Sequence, residues 1–440
     1  MSLSDDDISE DETLTTARTE QFSKLFCELE DCREDEQMQK IKEMNGLIDE
    51  MDEEEFESIF TIELFDTIYR MIEEKTLSWR NATLLLKHVG CCKVLKKIEL
   101  FSFDDSLLSE RMKEMIIDEN EKKKEEKNEK HLIDLCECYL LLNRWPSSEM
   151  DSIYVPCLLK VALKKDETEE AQKEVEMALL ALSNIGNWEI EQELYLNEIT
   201  EIIRYHQEHH NLTRLAYQSA WQFLIKRFYW DKSLEEVIVN ELHFSKEAAR
   251  ELEDLSKSVD WKRKEEEKGE REAKNVLVIE RWFDVIYEFL YSNTLWNEEL
   301  AGLINCIVQV LRASRGNHKD IRNGCLDSLR CASEKRDMEI DDMLKSGAVD
   351  AVLEEMNQST LGDDILWNCL IFFLNISERL NEKKDDEKEA SKRKLIKRKM
   401  FEKMEEEGFE DSVFRLCHCK LMGKDYYSLM FRPFNFLFFF

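Results

Sequence analysis

Two short runs in this chain carry side chains of the kind that bind metals. His206-Gln207-Glu208-His209-His210 sets His206 and His210 four residues apart, on one face of a helix, where two imidazoles can chelate a cation. A metalloprotease helix needs Glu directly after its first His, as the base beside the metal-bound water, and here that residue is Gln207. The spacing assigns no third ligand. Cys417-His418-Cys419 packs three soft ligands into three residues, whereas structural zinc takes four ligands in separated pairs, and the chain has no Cys-x2-Cys. Neither run completes a shell. No metal and no other cofactor is therefore expected, and the histidine run reads as a polar, solvated helix end between units.

Other chemistry is equally thin. The eleven glycines form no Gly-x-Gly-x-x-Gly, no phosphate-binding loop ending in Gly-Lys-Ser/Thr and no Gly-x-Ser-x-Gly. With 96 acidic residues, carboxylate pairs occur everywhere and none is diagnostic. Cys91-Cys92 and Cys136/Cys138 lie in apolar stretches where buried thiols are common. Trp221–Trp230 mixes aromatic residues with Lys226 and Arg227, as single-strand nucleic-acid binders do, but at helical spacing this is core packing. An enzyme is not expected.

The elements that would position such side chains are helices. Of 440 residues only 11 are Gly and 3 Pro, far short of the supply of tight turns that a β-rich chain needs. A 43% apolar content provides a core, so general disorder is excluded. The net charge of −34 speaks against nucleic acid and against an anionic membrane surface as partners. No apolar run approaches 18 residues, and the acidic start MSLSDDDISEDET is unlike a secretory leader. Thirteen scattered cysteines then read as reduced thiols of the cytoplasm. The basic run Lys392–Lys399 also resembles a nuclear-localisation patch, set between acidic flanks.

Residues 1–20 are expected to be an acidic disordered tail, and 416–440 an apolar, aromatic tail that is poorly ordered. Between them, 21–415 reads as one array of helices, interrupted by charged helical inserts at 119–130, 262–274 and 382–407. The array repeats. An apolar helix, a polar turn and a helix bearing a small residue recur, the small residues being Ala82, Ala178, Ala220, Cys325 and Cys369. The steps from 178 to 220 and from 325 to 369 are 42 and 44 residues. Such a period specifies stacked helical units whose small residues let neighbouring helices approach.

Ile340–Ser377 gives the period a family likeness. Its segment Leu344-Lys345-Ser346-Gly347-Ala348-Val349, with Asp364–Ser377 following, resembles the turn and final helix of armadillo repeats, and Ala178–Gly186 resembles that helix again. The remainder looks like lineage-specific, acidic helical-repeat proteins of protists, which adds a fold and no activity. The resemblance implies an all-α, armadillo/HEAT-like right-handed α-solenoid. Gly347 is expected in the left-handed conformation at a helix end, with Ala348, Val349, Val352 and Leu353 forming the apolar stripe beyond it.

In armadillo proteins the last helix of each repeat lines a groove. The family's groove asparagine maps six residues beyond the small residue, onto Asn184 and Asn375, and the same position is His88, Lys226 and Cys331 in other copies. The aromatic partner four residues earlier is Leu180 or Ile371 rather than Trp, so the ladder by which nuclear-import adaptors hold basic peptides is absent. Asparagine near a helix end also serves as a C-cap. The resulting expectation is a non-catalytic protein–protein interaction scaffold that binds a partner chain, a basic or extended peptide, along a concave face through His88, Asn184, Lys226 and Asn375. An adaptor or regulatory subunit that grips one large partner through its charged extensions is the alternative, and a metal-dependent enzyme the third class.

Overall fold

A computed structural model describes residues 10–381 except 97, 99–100, 123–127, 144–150, 165–167, 186–192, 229–233, 264–268, 294–296, 316–317, 336–339 and 357–362, and also residue 398. Every regular element among the described residues is helical. None of these helices is long and apolar enough to cross a membrane. The chain divides into two compact units, Met1–Arg227 and Phe228–Phe440.

The first unit contains α1 (Glu10–Cys27), α2 (Glu34–Glu50), α3 (Glu53–Ile59), α4 (Ile62–Glu73), α5 (Trp79–Lys96), α6 (Phe101–Asp104) and α7 (Leu107–Glu121). It continues with α8 (Glu129–Leu142), α9 (Asp151–Ala162), α10 (Glu169–Ser183), α11 (Glu193–His209) and α12 (Arg214–Phe228), whose last residue falls in the second unit. Local side chains fix where several helices begin. Asp52, Ser106, Asn128 and Thr168 each accept a hydrogen bond from a first-turn backbone N–H, satisfying donors that a helix start leaves open. α2 packs on α5, α5 on α8, and α8 on α10, while α4 meets α7 and α9 meets α11. The helices thus stack in rows. Gly90 permits one of these approaches, since a Cβ there would lie 2.6 Å from Leu141 Cβ across the α5–α8 contact.

The second unit opens with a π-helical turn, Val237–Glu241, then α13 (Phe244–Lys257), α14 (Glu270–Ser292), α15 (Glu298–Ala313), α16 (Lys319–Ser333), α17 (Ile340–Lys345), α18 (Ala348–Met356) and α19 (Asp363–Asn381). Two rows are explicit here: α13–α15–α18 and α14–α16–α19, with α13 on α14, α15 on α16 and α18 on α19 between the rows. Gly324 lets α16 close on α14, where a Cβ would meet Phe283 Cβ at 2.6 Å. The small residues of the repeat, Ala82, Ala178, Ala220, Cys325 and Cys369, are all fully buried. Gly347 has φ +74° between α17 and α18, as the turn requires, and Ala348, Val349, Val352 and Leu353 are buried beyond it.

One boundary differs from the sequence reading. α1 begins at Glu10, so half of the expected disordered tail is helix; residues 1–9 lie outside the described residues. Its anchor is Phe22, packed against Phe26 and Phe60, with Arg18 paired to the buried Glu55 and donating to Glu50 O. The segment opens on acidic residues, and the buried apolar positions described in it, Phe22 and Phe26, come only in its last two turns. Of the charged inserts, 119–130 and 262–274 are described only at their edges, where α7 ends, α8 starts and α14 starts. The stretch 382–407, apart from Arg398, and the tail 416–440 lie outside the described residues.

Candidate interaction groove

The four residues expected to line a groove share a different geometry. His88 on α5 has Nε2 3.0 Å from Asn45 O on α2. Asn184 caps α10, and its Nδ2 donates to Leu140 O and Asn143 O at the end of α8. Lys226 on α12 donates to Ser183 O, the last residue of α10, at 2.7 Å. Asn375 on α19 donates to Ser333 Oγ, the last residue of α16, at 2.9 Å. Where the mapped position is Cys331, buried and unable to reach, Lys335 donates instead to Tyr291 O and Asn293 O at the end of α14. Asn184, Lys226, Asn375 and Lys335 each reach back 41–44 residues in the chain, one repeat, to the C-terminal end of an earlier helix, whereas His88 reaches back 43 residues to Asn45 inside α2.

The physical reason lies in the helix ends. The last four carbonyls of a helix have no intrahelical donor, and the negative end of the helix dipole favours a cation or an N–H there. Asn184, Lys226 and Lys335 meet that need with donors to helix-end carbonyls, while Asn375 reaches the same place through the Ser333 hydroxyl. Side chains that the sequence reading assigned to a partner thus also make hydrogen bonds within the chain. Lys93 adds to the same junctions, donating from α5 to Leu142 O and Asn143 O.

The open surface lies beside this ladder in the first unit. A groove of about 600 Å3 runs across α2, α5, α8 and α10, with the end of α9 contributing to its wall. Met38, Ile41, Leu84, Ile133 and Val161 form its apolar walls, and Leu84 is 43% exposed there. Lys42, Arg80 and Lys130 stand exposed at it and make no ion pair among the described residues. Lys164 pairs with Glu174 at 3.3 Å. Five cationic and four acidic side chains line the groove, Glu129 and Glu174 among the latter, so on a chain with a net charge of −34 it presents mixed charge, with Lys42, Arg80 and Lys130 exposed at its edge.

At the groove floor Lys87 bridges Asp134 and Glu137. The two carboxylates hold the ammonium well above its usual range, against the opposing effect of burial. Burial pushes Glu137 up to about 7 despite Lys87, since that single ammonium is shared with the better-solvated Asp134. Burial likewise pushes the Cys91 thiol up to about 12, so it is inert rather than reactive, and its Sγ rests 3.2 Å from Met177 Sδ.

The other sequence candidates resolve locally. His206 is buried, its Nδ1 accepts from Leu212 N at 2.9 Å, and its ring lies 4.2 Å from that of Tyr217. The ring is fixed as a cap for the turn after α11, and exposed His210 beyond it sits at φ 51°. Trp221, Phe223, Leu224, Ile225 and Phe228 are buried, so that stretch is core; Tyr229 and Trp230 lie outside the described residues. Cys136 and Cys138 are buried, and the cysteines of the described residues are free thiols. Cys417-His418-Cys419 lies outside the described residues.

Sequence reasoning missed the buried polar anchors. Glu355 on α18 is fully buried and accepts from Arg315 of the α15 turn at 3.0 Å and from Arg322 of α16 at 2.7 Å. Gln37 donates to Leu29 O, Cys32 O and Thr76 O and accepts from Asn81. Charge is so common in this chain that nothing in the sequence distinguishes these residues from solvated ones. The fold and groove define an all-helical protein of stacked helix rows with a surface cleft. No family model matches the chain, and no curated protein matches it in sequence.

Proposed function

We infer that this protein is a non-catalytic interaction scaffold of armadillo/HEAT-like, right-handed solenoid type, holding an extended segment of a partner protein in the groove across α2, α5, α8 and α10. The observation that carries the reading is this groove, crossing four helices of one row with apolar walls and, at its edge, cations that make no ion pair among the described residues. The one-repeat step of the hydrogen-bond ladder and the Gly347 turn support the repeat class. An extended chain fits because many small contacts along a row add up without a deep cavity. Its apolar side chains meet Leu84 and Ile133, and an acidic side chain meets Lys42, Arg80 or Lys130. The net charge of −34 attracts basic segments at long range, so a partner carrying both signs, acidic where it crosses these cations, fits best.

A photo-crosslinking residue tests this directly. Placed at Leu84, it should capture a partner in extracts of the native cell, whereas at Ile117, similarly exposed at 39% but on α7, it should not. Equal capture at both sites, or capture only from positions in 382–407, would favour the charged extensions as the binding element.

A further inference from the structure

Asp49, His88 and Cys92 bring three different metal-binding atoms together at the α2–α5 junction. His88 Nε2 is 3.0 Å from Asp49 Oδ1, Cys92 Sγ is 3.4 Å from the same oxygen, and Cys92 Sγ is 3.8 Å from Nε2. A tetrahedral zinc ion with its usual bonds to nitrogen, sulfur and oxygen has ligand–ligand edges of about 3.3–3.6 Å. The observed edges of 3.0, 3.4 and 3.8 Å bracket those values. His88 and Cys92 are one turn apart on α5, so helix geometry sets their edge, and Asp49 is delivered by the last turn of α2. Cys92 is buried, only 6% exposed, the imidazole half-buried and Asp49 60% exposed, which leaves the fourth position on the solvent side.

We propose that Asp49, His88 and Cys92 form a binding site for one divalent transition metal of the zinc class, with water as the fourth ligand. On binding, the Cys92 thiol loses its proton to solvent, and His88 offers the Nε2 lone pair with its hydrogen on Nδ1. The thiolate and the Asp49 carboxylate then neutralise the cation. Without the ion, an Nε2–H would face two oxygens, Asn45 O and Asp49 Oδ1, each at 3.0 Å, and its one hydrogen cannot be well directed at both. The ion would join two successive repeats at the step the ladder uses, since Cys92 and Asp49, like His88 and Asn45, are 43 residues apart. Asn45 also lines the groove, so the ion would stiffen that groove's edge. The site holds whether or not the groove binds a peptide.

Cobalt(II) titration of the full chain in a non-thiol reductant reads the site. One equivalent should produce the intense visible bands of four-coordinate cobalt and a near-ultraviolet thiolate charge-transfer band, both removed by added zinc. Cys92→Ser should abolish the charge-transfer band, whereas Cys91→Ser and the double change Cys417→Ser/Cys419→Ser should keep it. Asp49→Asn, at an exposed position that leaves the fold intact by circular dichroism, should weaken cobalt binding at least about tenfold. Weak six-coordinate absorption in the unaltered chain, a band that survives Cys92→Ser, one lost with Cys417 and Cys419, or an Asp49→Asn affinity equal to the parent's would each overturn the proposal.

Discussion

Asn184→Ala separates a groove residue from a stacking residue by energy alone. The Asn184 side chain, at the cap of α10, donates two hydrogen bonds to Leu140 O and Asn143 O, which belong to residues almost wholly buried at the end of α8. Each such bond contributes about 0.5–1.5 kcal/mol net, so alanine should cost about 1–3 kcal/mol. An exposed asparagine on a groove wall would cost within about 0.5 kcal/mol. Asn184→Asp sharpens the test. It keeps the shape, removes the donors and turns a carboxylate toward two carbonyl oxygens at the negative end of a helix, so it should destabilise more than alanine. Urea unfolding followed by circular dichroism gives the totals, and hydrogen exchange of peptides covering residues 137–143 shows whether the loss is at α8. Leu182→Ala, at a fully buried position on the same helix, should lose roughly 2–5 kcal/mol and calibrates the scale. An Asn184→Ala midpoint equal to the parent's, or Asp better tolerated than Ala, would refute the stacking role.

Three further outcomes follow from particular contacts. Gly347→Val forces a β-branched residue to φ +74° and brings its Cβ toward Arg312 Nη2, and a thermal melt should show a loss of about 1–2 kcal/mol. Glu355→Ala strips Arg315 and Arg322 of their shared buried carboxylate and should cost about 3–5 kcal/mol in urea unfolding. Glu137 is pushed up to about 7, so its folded form holds a proton that the unfolded chain releases near 4.5. Its contribution is then fully present below about pH 4.5 and is lost as pH rises through about 7. Glu137→Gln should therefore match the parent near pH 4.5 and exceed it at pH 8, a crossing that unfolding at the two pH values detects.

The helical class was legible in composition, because 11 glycines and 3 prolines cannot turn a sheet protein of this length. The small residues at 82, 178, 220, 325 and 369 also announced close helix contacts, and all five are buried. Gly347 was readable for the same kind of reason, since a left-handed turn tolerates few other residues. The groove positions were harder. Asn184, Lys226 and Asn375 follow the repeat, but period alone does not say whether a recurring donor faces a partner or the helix behind it. That depends on the distance between rows, which is set by packing such as Gly90 against Leu141. Asp49, His88 and Cys92 form no local sequence motif, because one ligand lies a whole repeat from the others.

The central claim is that the groove, and not the ladder, meets the partner. Once the segment captured at Leu84 is known, its synthetic form can be titrated into the full chain by calorimetry. Lys42→Glu with Arg80→Glu should weaken binding at least about tenfold, equivalent to about 1.4 kcal/mol, and more so at low salt. Asn184→Ala, measured where the protein remains folded, should leave the affinity within about twofold, since 1.4 kcal/mol again marks the tenfold line. The reverse pattern, with affinity lost in Asn184→Ala and kept in the charge reversal, would contradict the account.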